Sequence, residues 1–210
     1  MRTGVGSIPP LFFEMRVVAG NKPQGLAYPL TKVKEFLRVT GTDQDGVISR
    51  LINAAVDIIE QETWIVLGSR SYTLYMDHWY GDTTSVEKYS DHFIIPKYPV
   101  TAVDSIKYYD TNNSLQTLAT SNYDTSLNGD ISRVEVTTQP NVYDKYDAIE
   151  VAFTAGYADY FDIPDQFVEL LELVIGDLYE QRMTGTMANV KQYGGVVSRL
   201  MDNVTKRVFT

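Results

Sequence analysis

The period of the hydrophobic pattern changes twice along this chain, and that order constrains the fold more than any other feature. Apolar side chains recur at three- and four-residue spacing over residues 31–63, alternate in short pieces over 71–155, and return to helical spacing from 164. The pattern predicts an α+β protein, a small helical bundle body with an antiparallel β-region inserted between its helices. A length of 210 residues suits one domain with embellishments better than two independent cores.

Three helices are expected, over residues 31–38, 46–63 and 164–183. In the first, Val33, Phe36 and Leu37 share a face behind Thr31, a candidate N-cap. In the second, Val47, Ile48, Leu51, Ile52, Ala55, Ile58 and Ile59 form the apolar stripe, while Arg50, Asp57, Glu60 and Gln61 fall elsewhere on the wheel. The preceding turn, Asp43-Gln-Asp45-Gly46, resembles part of a calcium loop. Aligning its glycine, however, puts Gly41 at the first ligand position and Ile52 at the bidentate glutamate position. It reads instead as a helix start, with Asp43 or Asp45 capping exposed amides. Pro164 and Asp165 suit the opening of the third helix, whose stripe is Phe167, Leu170, Leu171, Val174, Leu178 and Tyr179. Gly176 inside it costs about 1 kcal/mol relative to alanine, so either a close packing approach compensates or the cost is tolerated.

Between the helices, Tyr72, Leu74 and Met76 alternate with Ser71, Thr73 and Tyr75 as in a half-buried strand. Further strands are expected at 93–95, 103–109, 115–118, 131–136 and 148–153, with turns at 110–113 and 127–130 whose Asn, Asp and Gly residues accept positive backbone angles.

The two ends differ from the core at 28–183. Residues 1–27 are punctuated by Gly4, Gly6, Pro9, Pro10, Gly20, Pro23 and Gly25 and read as an extended arm, ordered where it lies on something else. Glu14 and Arg16 interrupt its apolar pieces, so neither a signal peptide nor a membrane span is expected. The tail, 184–210, passes through Gly194 and Gly195 into a last stripe of Val196, Val197, Leu200, Met201 and Val204, opposite Ser198, Arg199, Asp202, Asn203 and Lys206. A helix this short is marginal in water alone, so it should dock on its own body or on a neighbour.

No catalytic constellation stands out. With no cysteine, disulfides, thiolate zinc sites, iron–sulfur clusters and cysteine nucleophiles are excluded, and only His78 and His92 could supply imidazole. Phosphate-cradling, dinucleotide, His-Glu-x-x-His and Gly-x-Ser-x-Gly motifs are all missing. Asp144, Asp147 and Glu150 cluster in sequence, as do Asp159, Asp162 and Asp165, but nothing sets the spacing that paired-carboxylate chemistry needs. His78 and His92 flank Trp79, Tyr80 and Tyr89, aromatic residues able to stack on a sugar, fill a protein interface or form a local mini-core. Neither catalysis nor a metal or other cofactor is expected. The net charge is −9, and it is uneven: residues 71–165 carry fifteen acidic and five basic side chains, whereas 184–210 carry four basic and one acidic. Attraction to phosphate backbones or anionic lipid is not expected of such a chain, while complementary charge can orient association between copies or with another protein.

The order of the pieces resembles the head–tail connector (adaptor) proteins of tailed bacteriophages. The resemblance rests on the run Tyr28-Pro-Leu-Thr-Lys-Val-Lys-Glu-Phe-Leu-Arg-Val, the Asp/Gly turn and the amphipathic stretch from Val47 to Trp64. It continues through Ile95-Pro-Lys-Tyr-Pro-Val-Thr-Ala-Val-Asp-Ser-Ile-Lys-Tyr-Tyr-Asp, Ala148-Ile-Glu-Val-Ala-Phe-Thr-Ala-Gly-Tyr, Ile163-Pro164 and the helix ending in Tyr179-Glu-Gln-Arg182, about residues 28–183 in all. It implies a structural virion protein, made in the host cytoplasm and placed in the capsid–tail neck. Copies would form a ring, typically of twelve, beneath the portal protein, join it to a stopper or tail-completion protein, and let genomic double-stranded DNA pass without sequence-specific binding. It also implies that Val196, Val197, Leu200, Met201 and Val204 dock on the portal or a neighbouring copy, with Gly194 and Gly195 as hinge. The alternative from another class is a carbohydrate- or receptor-binding β-module of a virion, which would need an exposed aromatic platform between Trp79 and Tyr89.

Overall fold

The structure is a computed structural model and describes residues 15–21, 27–79, 92–127 and 131–184. In chain order the elements are β1 (Met15–Ala19), α1 (Leu30–Leu37), α2 (Asp45–Thr63), β2 (Arg70–Met76), β3 (His92–Ile95), β4 (Val100–Tyr109), β5 (Leu115–Thr117), β6 (Tyr123–Ser126), β7 (Ser132–Val136), β8 (Ile149–Ala155) and α3 (Asp165–Thr184). The class is α+β: three helices, a five-stranded antiparallel sheet in the order β1-β2-β8-β4-β5, and a three-stranded sheet in the order β3-β7-β6.

The helices pack on one another through Val33 of α1, Ile48, Ile52, Ala55 and Ile59 of α2, and Phe167, Leu170, Leu171, Val174 and Ile175 of α3. Spacings of four, three and four along α2 put its buried isoleucines and alanine on one stripe. Removing any of these large side chains from water is worth about 1.5–3 kcal/mol. Phe36 of α1 lies over Gly176, 3.3 Å from where a Cβ would stand, so the close approach is what the mid-helix glycine permits. The helix starts differ from expectation. Pro29 precedes α1 and Gln44 precedes α2, neither with a side-chain cap. Thr31 and Asp45 sit inside the first turns, and Asp45 receives the Lys34 ammonium at 2.6 Å instead of capping.

The sheets bury a second, separate cluster that includes Tyr72, Leu74 and Met76 of β2, Ile106 of β4, Val134 and Val136 of β7, and Ile149, Val151, Phe153 and Ala155 of β8. Tyr72 stacks on Phe153 across the β2–β8 pair, with ring centroids 5.4 Å apart. Strand β4 begins at Val100, earlier than its alternation suggests, because register shifts between Val100 and Ala102 and between Val103 and Ser105 break the period of two. In the turn between β4 and β5, the Asp110 carboxylate accepts the amides of Asn112 at 2.9 Å and Ser114 at 3.0 Å while Asn113 takes φ 59°.

Two strands were not expected. Within the segment read as an arm, Met15–Ala19 pairs with β2 and lays Met15 and Val17 on the sheet cluster. Strand β6 pairs with β7 although Asp124, Thr125 and Ser126 are all exposed.

The segment joining the two cores alternates between them: Ile65 and Leu67 belong to the helical cluster and Val66 to the sheet cluster. Val66 donates its amide to Tyr98 O at 2.7 Å, Ser69 to Tyr157 O at 3.0 Å, and Gly156 to Pro99 O at 2.8 Å, so three chain segments are sewn together there. Gly156, at φ 107°, lies against the backbone of Gly68 and Ser69.

Candidate interaction surface

The charged centre of the molecule lies at that joint. Glu60, in the last turn of α2 and only 6% exposed, accepts the Leu67 amide at 2.9 Å and the Arg70 guanidinium. Arg70 Nε donates to the Tyr72 hydroxyl at 2.6 Å. The Lys97 ammonium stands 6.0 Å from the Trp64 ring centroid and 5.7 Å from that of Tyr72. Burial pushes the Glu60 carboxyl up, opposed by Arg70 and the Leu67 amide, and burial also lowers the Lys97 ammonium. Each group has a structural partner, so this cluster is a clamp between helices and sheets.

The carboxylates that cluster in sequence are engaged in local structure or exposed, and form no metal-holding group among the described residues. Asp147 is paired with Arg16 at 2.6 Å, and its amide donates to Asp77 at 2.8 Å. The hydrogen bond from Arg16 to Asp147 is also the main reason that guanidinium's pKa is raised. Glu150 is the second residue of β8, opposite Tyr75 and Lys107. Asp144 is exposed in the loop before β8. Asp159 accepts the Phe161 amide at 3.1 Å, and Asp165 occupies the first turn of α3. Among the described residues no group of three or more His, Asp or Glu side chains is placed to hold a metal ion, and no helix is long and apolar enough to cross a membrane. Trp79 is 5% exposed and donates its indole N–H to Pro140 O at 2.8 Å, so it fills the sheet cluster instead of forming a platform. Tyr80 and Tyr89 lie outside the described residues.

What the described surface does offer is exposed aromatic area and a cleft. Phe161 is 77% exposed on the short 3-10 turn Tyr160–Asp162, its ring 3.9 Å from that of Tyr160. Tyr160 meets Tyr28 edge-on at 6.0 Å, and the Tyr28 hydroxyl donates to Glu172 of α3 at 2.7 Å, so the base of this knob is anchored. Desolvation, with Glu172 adding to it, raises the Tyr28 phenol and keeps it a donor. Along α1, a cleft of about 420 Å³ is lined by Thr31, Lys34, Glu35, Arg38, Val39 and Thr40. The sequence reading passed over both features. The signal for the knob was an aromatic pair, Tyr160-Phe161, that belongs to no apolar stripe and sits between Asp159 and Asp162. The expected docking stripe, Val196, Val197, Leu200, Met201 and Val204, and its hinge, Gly194 and Gly195, lie outside the described residues.

Anchored exposed aromatic side chains are the kind of surface that a protein partner buries. Residues 29–143, more than half of the chain, match the family described as phage gp6-like head-tail connector protein, and the chain belongs to that family. No curated protein sequence matches it. Among solved structures it is similar to a chain in the neck of an empty gene transfer agent (GTA) particle computed with C6 symmetry, at TM-score 0.72 and 21% identity, covering 90% of this chain and 94% of that one. It is similar also to a chain of the virion of a native gene transfer agent particle, at TM-score 0.68 and 22% identity over 89% and 93%. A third match, a chain in the neck of a native GTA particle computed with C12 symmetry, has TM-score 0.61 and 18% identity over 88% and 93%.

Proposed function

We propose that this protein is a non-enzymatic structural adaptor of the virion neck. Twelve copies form a ring beneath the portal protein at the capsid vertex, join it to a stopper or tail-completion protein, and surround genomic double-stranded DNA that passes through without sequence-specific binding. The observation that carries this reading is the connector-family match over residues 29–143, set on a fold shared along nearly the whole chain with a component of a particle neck. The charge supports it: at −9 per copy, with fifteen acidic against five basic residues over 71–165, a lumen lined by this chain repels phosphates and lets DNA slide. Imaging and mass measurement of the full-length protein with and without a portal protein test the reading. Rings on the portal are expected, and monomers that never associate with it would refute the adaptor role.

In the same reading, Val196, Val197, Leu200, Met201 and Val204 are the portal- or neighbour-docking stripe, and Gly194-Gly195 is the hinge that lets it swing. Deleting residues 194–210 should abolish portal binding while the core over 28–183 keeps its fold. Unchanged binding would remove the docking role from this segment.

A further inference from the structure

A cyclic assembly is built from heterologous contacts, so every copy must carry two different surfaces that fit each other. We infer that the Tyr160–Phe161 knob of one copy seats in the α1 cleft of the next copy, an interface that rests on the ring reading above. The knob is an exposed phenylalanine set against the tilted ring of Tyr160 and flanked in sequence by Asp159, Asp162 and Asp165. Anchored aromatic side chains entering a pocket are the recurrent energetic centre of protein interfaces.

The cleft has the complementary character. Val39 is its one apolar residue, and carbon atoms nonetheless supply most of the surface that it and Thr31, Lys34, Glu35, Arg38 and Thr40 present. Residues 30–40 carry Lys32, Lys34 and Arg38 against Glu35, a balance of +2, facing the −3 of residues 158–165. Asp45 compensates Lys34 at 2.6 Å, and Glu35 sits with Lys32 at 3.3 Å. That leaves Arg38, exposed at the end of α1, as the cation for the aspartates of the incoming knob.

The cleft opens on the face of α1 that turns away from its own helical core. Val33 is the buried residue of α1, and Phe36 packs on α3 at Gly176. On a wheel of 3.6 residues per turn, Thr31, Lys34, Glu35 and Arg38 fall on the opposite side of the same helix.

The absence of cysteine makes the contact directly testable. Ala158→Cys, beside the knob, and Thr40→Cys, in the cleft, are both at exposed positions. The two full-length single-cysteine proteins are mixed with a short bis-maleimide under conditions in which native mass spectrometry shows wild-type rings, alone or on the portal protein. The expected result is a 158–40 link between copies, and a ladder of higher multimers from the double variant. Phe161→Ala should weaken assembly at least about thirtyfold, as loss of a central anchor does. Arg38→Glu should also weaken it, with recovery when combined with Asp162→Lys. Rings that yield only 158–158 or 40–40 links, an intramolecular link in the double variant, or unchanged assembly of Phe161→Ala would overturn this contact and leave the adaptor reading standing. A wild-type protein that forms no ring under any of these conditions would overturn both.

Discussion

Replacing Gly156 by alanine tests the joint between the two cores most directly. The residue has φ 107°, outside the range that an L side chain adopts without strain, and an added Cβ would stand 2.7 Å from both C and O of Gly68 and 2.8 Å from Ser69 Cα. Those neighbours are backbone atoms, so no side-chain rotation relieves the clash. The backbone strain costs about 1–3 kcal/mol. Prying the segments apart also threatens the hydrogen bonds from Gly156 to Pro99 O at 2.8 Å and from Ser69 to Tyr157 O at 3.0 Å, each worth about 1 kcal/mol net. The sum, about 3–5 kcal/mol, is a large fraction of the stability of an ordinary domain. In urea titrations with a slope near 2 kcal/mol/M the midpoint should fall by about 2 M. Two other glycines separate the contributions. Gly41, at φ 78° with nothing within 4 Å of its built Cβ, carries the strain without the clash, so Gly41→Ala should cost about 1 kcal/mol. Gly46 has neither positive φ nor a neighbour within 4 Å and lies in the first turn of α2, so Gly46→Ala should stabilise by about 0.4–1 kcal/mol. Equal losses for Gly156→Ala and Gly41→Ala would refute the wedge reasoning.

Glu60→Ala should cost about 3 kcal/mol in the same titration, because it strands Arg70 and the Leu67 amide in a buried site; a loss under 1 kcal/mol would show that water replaces the carboxylate. The Asp110 carboxyl is held below its ordinary 3.8, chiefly by the Ser114 amide with the Asn112 amide adding to it. Its folded pKa is depressed, so its contribution is present above the unfolded value and is lost as pH falls through the folded one. Acid titration of Asp110→Ala should therefore show a shallower stability loss below pH 3.8 than wild type, and parallel curves would refute the assignment. Trp79→Ala should cost about 3–5 kcal/mol as a core deletion, whereas a variant of wild-type stability would return this residue to the surface.

The helices were legible because their burial is one-sided: Ile48, Ile52, Ala55 and Ile59 reach the core only at helical spacing, and nothing else in that stretch competes. Strand β8 was legible for the same reason, with Ile149, Val151, Phe153 and Ala155 buried alternately. Strand β6 was not, because pairing with β7 holds it while its own side chains beyond Tyr123 remain in water. Strand β1 was masked by the glycines and prolines around it, and only its partner β2 reveals that Met15 and Val17 have a surface to cover. Asp45 was misplaced because capping and ion pairing use the same residue type, and the deciding neighbour, Lys34, is eleven positions away. Phe161 was passed over because periodicity finds side chains that point inward, and this one is defined by pointing nowhere in its own molecule.

Bringing copies of net charge −9 together sets two electrostatic effects against each other, and their ranges decide which wins. Repulsion between whole molecules acts over tens of ångströms, so it is felt near 0.01 M salt, where the screening length is about 30 Å, and is largely gone near 0.15 M, where it is about 8 Å. The attraction of Arg38 for the aspartates around Phe161 acts over a few ångströms and survives that change, fading only as screening approaches about 3 Å near 1 M salt. Burial of the Phe161 ring is not weakened by salt at all. Assembly should therefore strengthen from low to physiological ionic strength and then decline only modestly. Arg38→Glu should remove the decline but keep the rise. A steep monotonic weakening from 0.01 M upward would mean that ion pairs hold the copies together, and the central place given to the phenylalanine would be wrong.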